Sequence, residues 1–409
     1  MPNTDQPSKK YGFAIGIIPF ASITLLVFVL WYLFMHANGI MKLYTPMYGF
    51  SLVAMLMVSV VLISKVLDFY PFGPSSIEAN SRLIRGLAFS VMAVALAIFL
   101  VYVVFWNFIG KYGVAYFSPD SIVMSGGTGA EPFNARENAS TAIIYFCTAF
   151  LWWALVWRLG FLDWPWTGSS KGVIAWSRAC SILILSIITY VICFHPHVCF
   201  LFYPPQNKAG VEPWWSAFTG TGSAFFSLGI ILCSLAWVVI SDLLWDSYPW
   251  KLFSRNEKGN FFRGLITTLG CLALGMGLFV VLLRIMNFFW MEPFEGGQYT
   301  DAPYFRYLHA GEVAGFAVLA AFILRNYFDN WPNWSNPLVR AFLRTVISFV
   351  IAGVVYLFYY SSLSTLILGK VPGIAQPDDT PLVWTMLYIT IIIIHSDFFM
   401  LWPMNRKAP

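Results

Sequence analysis

Charge is what this sequence has least of. Only 11% of its 409 residues are Asp, Glu, Lys or Arg, against about 25% in a soluble domain. That deficit excludes water as the main solvent of the fold. The 24 Lys and Arg are spread between apolar segments rather than clustered, so neither a nucleic-acid surface nor a polybasic lipid switch is present. Cysteine is also scarce, at six residues with no CxxC pair. Cys147, Cys180, Cys233 and Cys271 are isolated in apolar runs and read as small buried side chains. There is no P-loop, no GxGxxG after a strand, no HExxH, no nucleophile elbow and no Arg-rich voltage-sensor helix. The longest outer loop, residues 110–138, is too short for a separate catalytic domain. The sequence therefore points away from an enzyme, except in the metal or redox form considered below.

What is there is apolar and aromatic: 59% hydrophobic residues, 19% Phe, Trp and Tyr, and a mean hydropathy of +0.70. The hydrophobic residues fall in ten runs, about 12–35, 47–67, 86–109, 139–161, 174–195, 217–241, 264–290, 305–326, 341–369 and 381–402. Each is long enough to span a bilayer as a helix. The expected fold is thus all-α and polytopic, one integral-membrane domain. The first run follows Lys9 and Lys10 but lacks a small-residue cleavage site, so it reads as a retained helix. Seventeen of the 24 cations lie at the termini or in alternate loops on one side, and seven on the other. The positive-inside rule then places both termini in the cytoplasm, in the inner membrane if the source is bacterial.

Three phrases recur. On the basic side stand "DFYPF" (Asp68), "DWPW" (Asp163), "DSYPW" (Asp246), "DNWPNW" (Asp329) and, more loosely, "DFFMLWP" (Asp397). The other side carries "YTPMY", "EPFN", "EPWW", "APYF" and "TPLVW". Arg85, Arg178, Arg263 and Arg344 each open the span after a basic-side phrase. Five helical hairpins in parallel topology follow, about 9–72, 82–166, 174–250, 260–334 and 338–403. Inverted-repeat transporter architecture is disfavoured for that unit. Pro suits a first helical turn, and aromatics beside Pro suit the membrane interface. The phrases read first as helix-end anchors. A second reading gives the aspartates a substrate role, and an Asp of one hairpin could pair with an Arg of the next.

Two groups of residues carry possible chemistry. "CFHPHVC" puts Cys193, His195, His197 and Cys199 within seven residues. On a helix they fall on two opposed faces, but Pro196 favours unwinding. A bent "HPH" could chelate Cu or Zn, with His36 or His309 near the same boundary. A Cys193–Cys199 disulfide and a purely structural helix end are the alternatives. The second group is Arg284 in span seven, which reads either as a cation snorkelling to the interface or as an inward-facing one that meets an acidic side chain or an anionic solute, with His309 and Glu312 at the outer mouth. Tyr356, Tyr359 and Tyr360 of span nine join it, in the hydroxyl-rich "YLFYYSSLST". A further polar stripe, including Thr219, Thr221 and Ser227, opens span six.

Three functions fit. The first is a transporter or channel moving a small polar or anionic solute through a cavity between hairpins, with lipid as its surroundings. The second is an integral-membrane metal or redox protein, an enzyme or a cofactor-bearing subunit. The third is a scaffold subunit with membrane-complex partners or a second copy of itself.

Overall fold

A computed structural model describes residues 13–45, 47–72, 79–126, 130–195, 222–254, 260–289, 305–369 and 381–403. Their secondary structure is helical, without a strand among the described residues. Among the described residues, ten helices are long and apolar enough to cross a membrane, the mark of an integral membrane protein. They are α1 (Gly16–Met35), α2 (Tyr48–Val66), α3 (Ser81–Tyr112), α4 (Pro132–Phe161) and α5 (Lys171–Cys193). The second five are α6 (Ala224–Leu243), α7 (Phe261–Met286), α8 (Arg306–Tyr327), α9 (Pro337–Tyr359) and α10 (Pro381–Phe398).

Pro begins α4, α9 and α10, where its missing N–H costs nothing. Asn336 caps α9, its Oδ1 accepting from the backbone N–H groups of Leu338 at 2.9 Å and Val339 at 3.3 Å. Span nine is shorter than its apolar run predicts. The helix stops at Tyr359 and a separate short helix, Ser362–Leu368, follows. Serine is the cause: Ser361 Oγ donates back to Phe358 O at 2.6 Å, offering the backbone a local alternative to the helical ladder.

Burial alternates strictly along the chain. In α2, α4, α6, α8 and α10, between 67% and 83% of the membrane-length window is buried; in α1, α3, α5, α7 and α9, between 17% and 28%. The even helices therefore form an inner layer. α2 packs on α4, α4 on α6, α6 on α8 and α8 on α10, and α10 returns to α2, closing a ring. Lipid gives helices no hydrophobic reason to associate, so close packing of small side chains must do it. The inner helices supply them: Ala139, Ala142 and Ala149 of α4, and Ala310, Ala317, Ala320 and Ala321 of α8, are all within 1% of full burial. At Gly275 of α7, a Cβ would lie 2.5 Å from Ser234 Cα of α6, so only glycine permits that approach.

The outer helices sit in a regular order. α3 lies on α2, α5 on α4, α7 on α6, α9 on α8 and α1 on α10. Each also reaches the end of the inner helix one step back in the ring. Hydrogen bonds pin these contacts: Trp152 Nε1 donates to Ser234 Oγ at 2.9 Å between α4 and α6. Trp153 Nε1 donates to Thr189 Oγ1 at 2.8 Å between α4 and α5. Trp245 Nε1, just past α6, donates to Thr345 Oγ1 of α9 at 2.7 Å.

Every inner helix ends in a turn leading to Pro71, Pro165, Pro249, Pro332 or Pro403, each preceded by a cis peptide bond. In four of these turns the two residues that lie three and two places before Pro have positive φ: Asp68–Phe69, Asp246–Ser247, Asp329–Asn330 and Met400–Leu401. The same long-reach hydrogen bond closes all four. Phe69 N donates to Ile63 O, Ser247 N to Ser241 O, Asn330 N to Leu324 O and Leu401 N to His395 O, at 2.9 to 3.0 Å. Aligned on Pro, then, Asp68, Asp246 and Asp329 are equivalent, since Asp tolerates the left-handed region. Asp163 and Asp397 are not. Leu162 and Met400 stand three places before Pro in their turns.

Candidate functional site

The ring encloses a cavity of about 450 Å³, within the range of small-molecule sites. All five inner helices line it, each with a stripe of helical spacing: Met57, Val61 and Lys65 on α2; Thr148, Leu151, Leu155 and Arg158 on α4; Leu232, Leu235, Val239 and Asp242 on α6. α8 contributes Gly311, Gly315, Val318, Phe322 and Arg325; α10 contributes Leu382, Met386, Ile389, Ile393 and Asp397. From Gly311 to Arg325 the wall runs roughly 21 Å at 1.5 Å per residue, against roughly 30 Å for a hydrocarbon core.

Polarity is segregated along that length. Thr148 aside, every polar lining residue lies at the end where the Pro turns are. Each of the five stripes finishes there on a charge: Lys65, Arg158, Asp242, Arg325 and Asp397. Asp68 and Arg85 join the rim. Lys65 Nζ and Asp397 Oδ2 pair at 2.7 Å across the α2–α10 contact. Arg158, Asp242 and Arg325, on the consecutive ring members α4, α6 and α8, make no ion pair within 4 Å among the described residues. Arg263 of α7 attracts Asp242 from outside, but its guanidinium is already bound to Leu159 O at 2.7 and 3.1 Å.

Helix-dipole matching does not account for this rim. It would favour Lys65, Arg158 and Arg325 in the last turn, and disfavour Asp242 and Asp397 there. Counting Asp68 and Arg85, the rim carries four cations and three carboxylates, a net positive mouth leading into an apolar chamber.

The other opening arginines are used structurally. Arg344 is bound by Leu244 O at 2.9 Å, Asp246 at 3.2 Å, Pro332 O at 3.2 Å and Asn333 Oδ1 at 2.6 Å. Arg178 lies 3.8 Å from Asp163. Arg85 stacks 4.6 Å from Phe69 and donates to Met400 Sδ at 3.4 Å. Asp163 and Asp246 thus tie neighbouring helix ends together, although Asp246 reaches Arg344 of α9 rather than Arg263 of α7.

No known protein family, characterised protein or solved structure matches this chain.

The residues expected from sequence to bind solute lie elsewhere. Arg284 is exposed on the outer helix α7, beside exposed Val281 and Ile285, and lines no part of the cavity. It does not point inward because α7 belongs to the outer layer. His309 and Glu312 are buried together at the start of α8, with Nδ1 and Oε2 3.1 Å apart. Tyr360 packs on His309 at 6.2 Å between ring centroids and on Tyr356 at 4.6 Å. Tyr359 is fully buried between Phe316 and Trp384. The structure therefore brings His309, Tyr356 and Tyr360 together, but as packing between α8 and α9 outside the cavity wall.

Of the proposed metal ligands, His36 is buried at the end of α1, its Nδ1 accepting from Asn38 N at 3.0 Å. His195 packs on Tyr116, and Cys193 is a free thiol at the end of α5. His197 and Cys199 lie outside the described residues, as do Thr219 and Thr221. No group of three or more His, Cys, Asp or Glu suited to a metal occurs among the described residues.

Lys65, Arg158, Asp242 and Arg325 are the rim charges that the sequence left unmarked. A signal was available: Arg158, Asp242 and Arg325 each stand seven places before the Pro of their turn, and Lys65 and Asp397 six.

Proposed function

We propose that the protein is a membrane transporter whose negatively charged solute occupies the cavity within the five inner helices. The observation that carries this reading is the rim, where Arg158 and Arg325 face a cavity lined by all five inner helices without an ion-pair partner. A cation facing a largely apolar chamber is stabilised when an opposite charge pairs with it. An anion does so, and Asp242 between them is suited to a donor group on the same solute.

The fold reading belongs to this proposal. The chain is five parallel hairpins, with the Pro turns and termini in the cytoplasm and, in a bacterium, in the inner membrane. The recurring hydrogen-bonded turn, the alternating burial and the cation bias support it.

The test is transport by purified protein in proteoliposomes, read as charge displacement or isotope uptake for a panel of organic anions. Uptake that saturates and is lost in Val318→Trp, which fills the cavity, is the expected result. Absence of uptake across the panel, or uptake unaffected by Val318→Trp, overturns the reading.

A further inference from the structure

We infer that the solute is an amphiphile: a single anionic head on an extended apolar body, the head held at the rim and the body lying along the ring axis. The inference rests on the transporter reading for the site and adds the chemical class. A compact polar anion does not fit this cavity. Beyond the rim, Thr148 is its one polar lining side chain, so a hydrated ion entering the chamber would lose its water without replacement. An apolar chain meets the opposite situation. The walls are Leu235, Val318, Met386 and Ile389 with their helical neighbours, over a depth of roughly 21 Å at 1.5 Å per residue. Glycine at 311 and 315 lets α8 close against its ring neighbours and seal the chamber wall: at 311, a Cβ would meet Leu232 of α6 at 2.7 Å. At 315, a Cβ would meet Leu382 at 3.1 Å. The rim supplies the complement for the head. Arg forks suit carboxylate and phosphate alike, and the Lys65–Asp397 pair is already neutralised.

The experiment uses the full chain in phosphatidylcholine nanodiscs with a photoreactive palmitate analogue. A fatty alcohol carrying the same photoreactive chain serves as control. Palmitate is expected to label peptides containing Leu235, Met386 or Ile389 saturably. Arg158→Gln/Arg325→Gln should weaken labelling at least tenfold, and Val318→Trp should abolish it with all rim charges intact. Equal labelling by the alcohol, labelling confined to the outer helices, or no effect of either variant overturns the inference. Competition by lysophosphatidate but not free palmitate would identify a phosphate head, and the reverse a carboxylate. The two readings fail separately. If palmitate labels the cavity but does not cross proteoliposomes, the transporter falls and the amphiphile site stands. If a compact anion such as succinate is carried and palmitate never labels, the amphiphile falls and the transporter stands.

Discussion

The inner helices and the outer helices are built from similar amounts of apolar sequence and do opposite things with it. Mean hydropathy runs from 1.5 to 2.3 in α2, α4, α6, α8 and α10, and from 1.8 to 2.8 in the outer five. The ranges overlap, yet at least 67% of each inner window is buried and at most 28% of each outer one. What separates the layers is the size and placement of side chains rather than hydrophobicity. Exposed Val281 and Leu357 face lipid at no cost, whereas Ala317 and Ala320 let helices approach. The consequence for function is direct. A charge on an outer helix, such as Arg284, has lipid headgroups to reach by snorkelling. A charge on the cavity face of an inner helix, such as Arg325, lines the cavity instead.

The sharpest way to break this comparison is to place the same bulky residue in each layer. Val318→Trp on α8 should eliminate uptake in proteoliposomes, while Val350→Trp, on the exposed face of α9, should leave it within twofold. Equal effects would mean that the cavity is not the route. A second contrast uses charge. Arg158→Gln or Arg325→Gln should lower apparent solute affinity at least tenfold, about 1.4 kcal/mol, and Arg284→Gln should not change it. Isothermal or scintillation-proximity binding reads the difference.

A third contrast lies inside the rim. Lys65→Met strands the Asp397 carboxylate, of which 15% is exposed. Fully buried pairs cost ~3–5 kcal/mol to break in this way. Partial exposure reduces that here to about 1–3, visible as a lower Tm in detergent. Lys65→Met/Asp397→Leu should recover most of the loss, because both charges are then gone. Recovery failing would give the pair a role beyond mutual neutralisation. The smallest expected effect is at Trp152→Phe, which removes the hydrogen bond to Ser234 between α4 and α6. Its cost should be about 0.6–2 kcal/mol, with uptake per folded molecule unchanged.

Much of the fold was legible in the sequence. The ten spans were, because a bilayer of fixed thickness demands apolar runs of fixed length. So was the recurring Pro turn, though aligning it on Asp mismatched Asp163 and Asp397. The backbone geometry follows Pro instead, and Met400 takes the position that Asp68 holds. The site was much less legible. His309, Glu312 and the tyrosines of α9 attracted notice as rare polar groups in apolar surroundings, and they pair or pack locally. Arg158, Asp242 and Arg325 looked like ordinary boundary charges, because a helix end says nothing of what it faces.

The sequence by itself determined that this chain carries ten runs long and apolar enough to cross a membrane, roughly where each lies, and which residues are charged at the turns. Those properties are set locally, by hydrogen-bond demand in lipid and by the backbone habits of Pro, Asp and Ser. Only the tertiary structure decided that the even helices close into a ring, that their stripes enclose a cavity, and that five charges meet at its mouth. Those properties depend on which helices become neighbours. In lipid that choice rests on the fit of small side chains between surfaces far apart in the chain, which hydropathy and spacing do not encode.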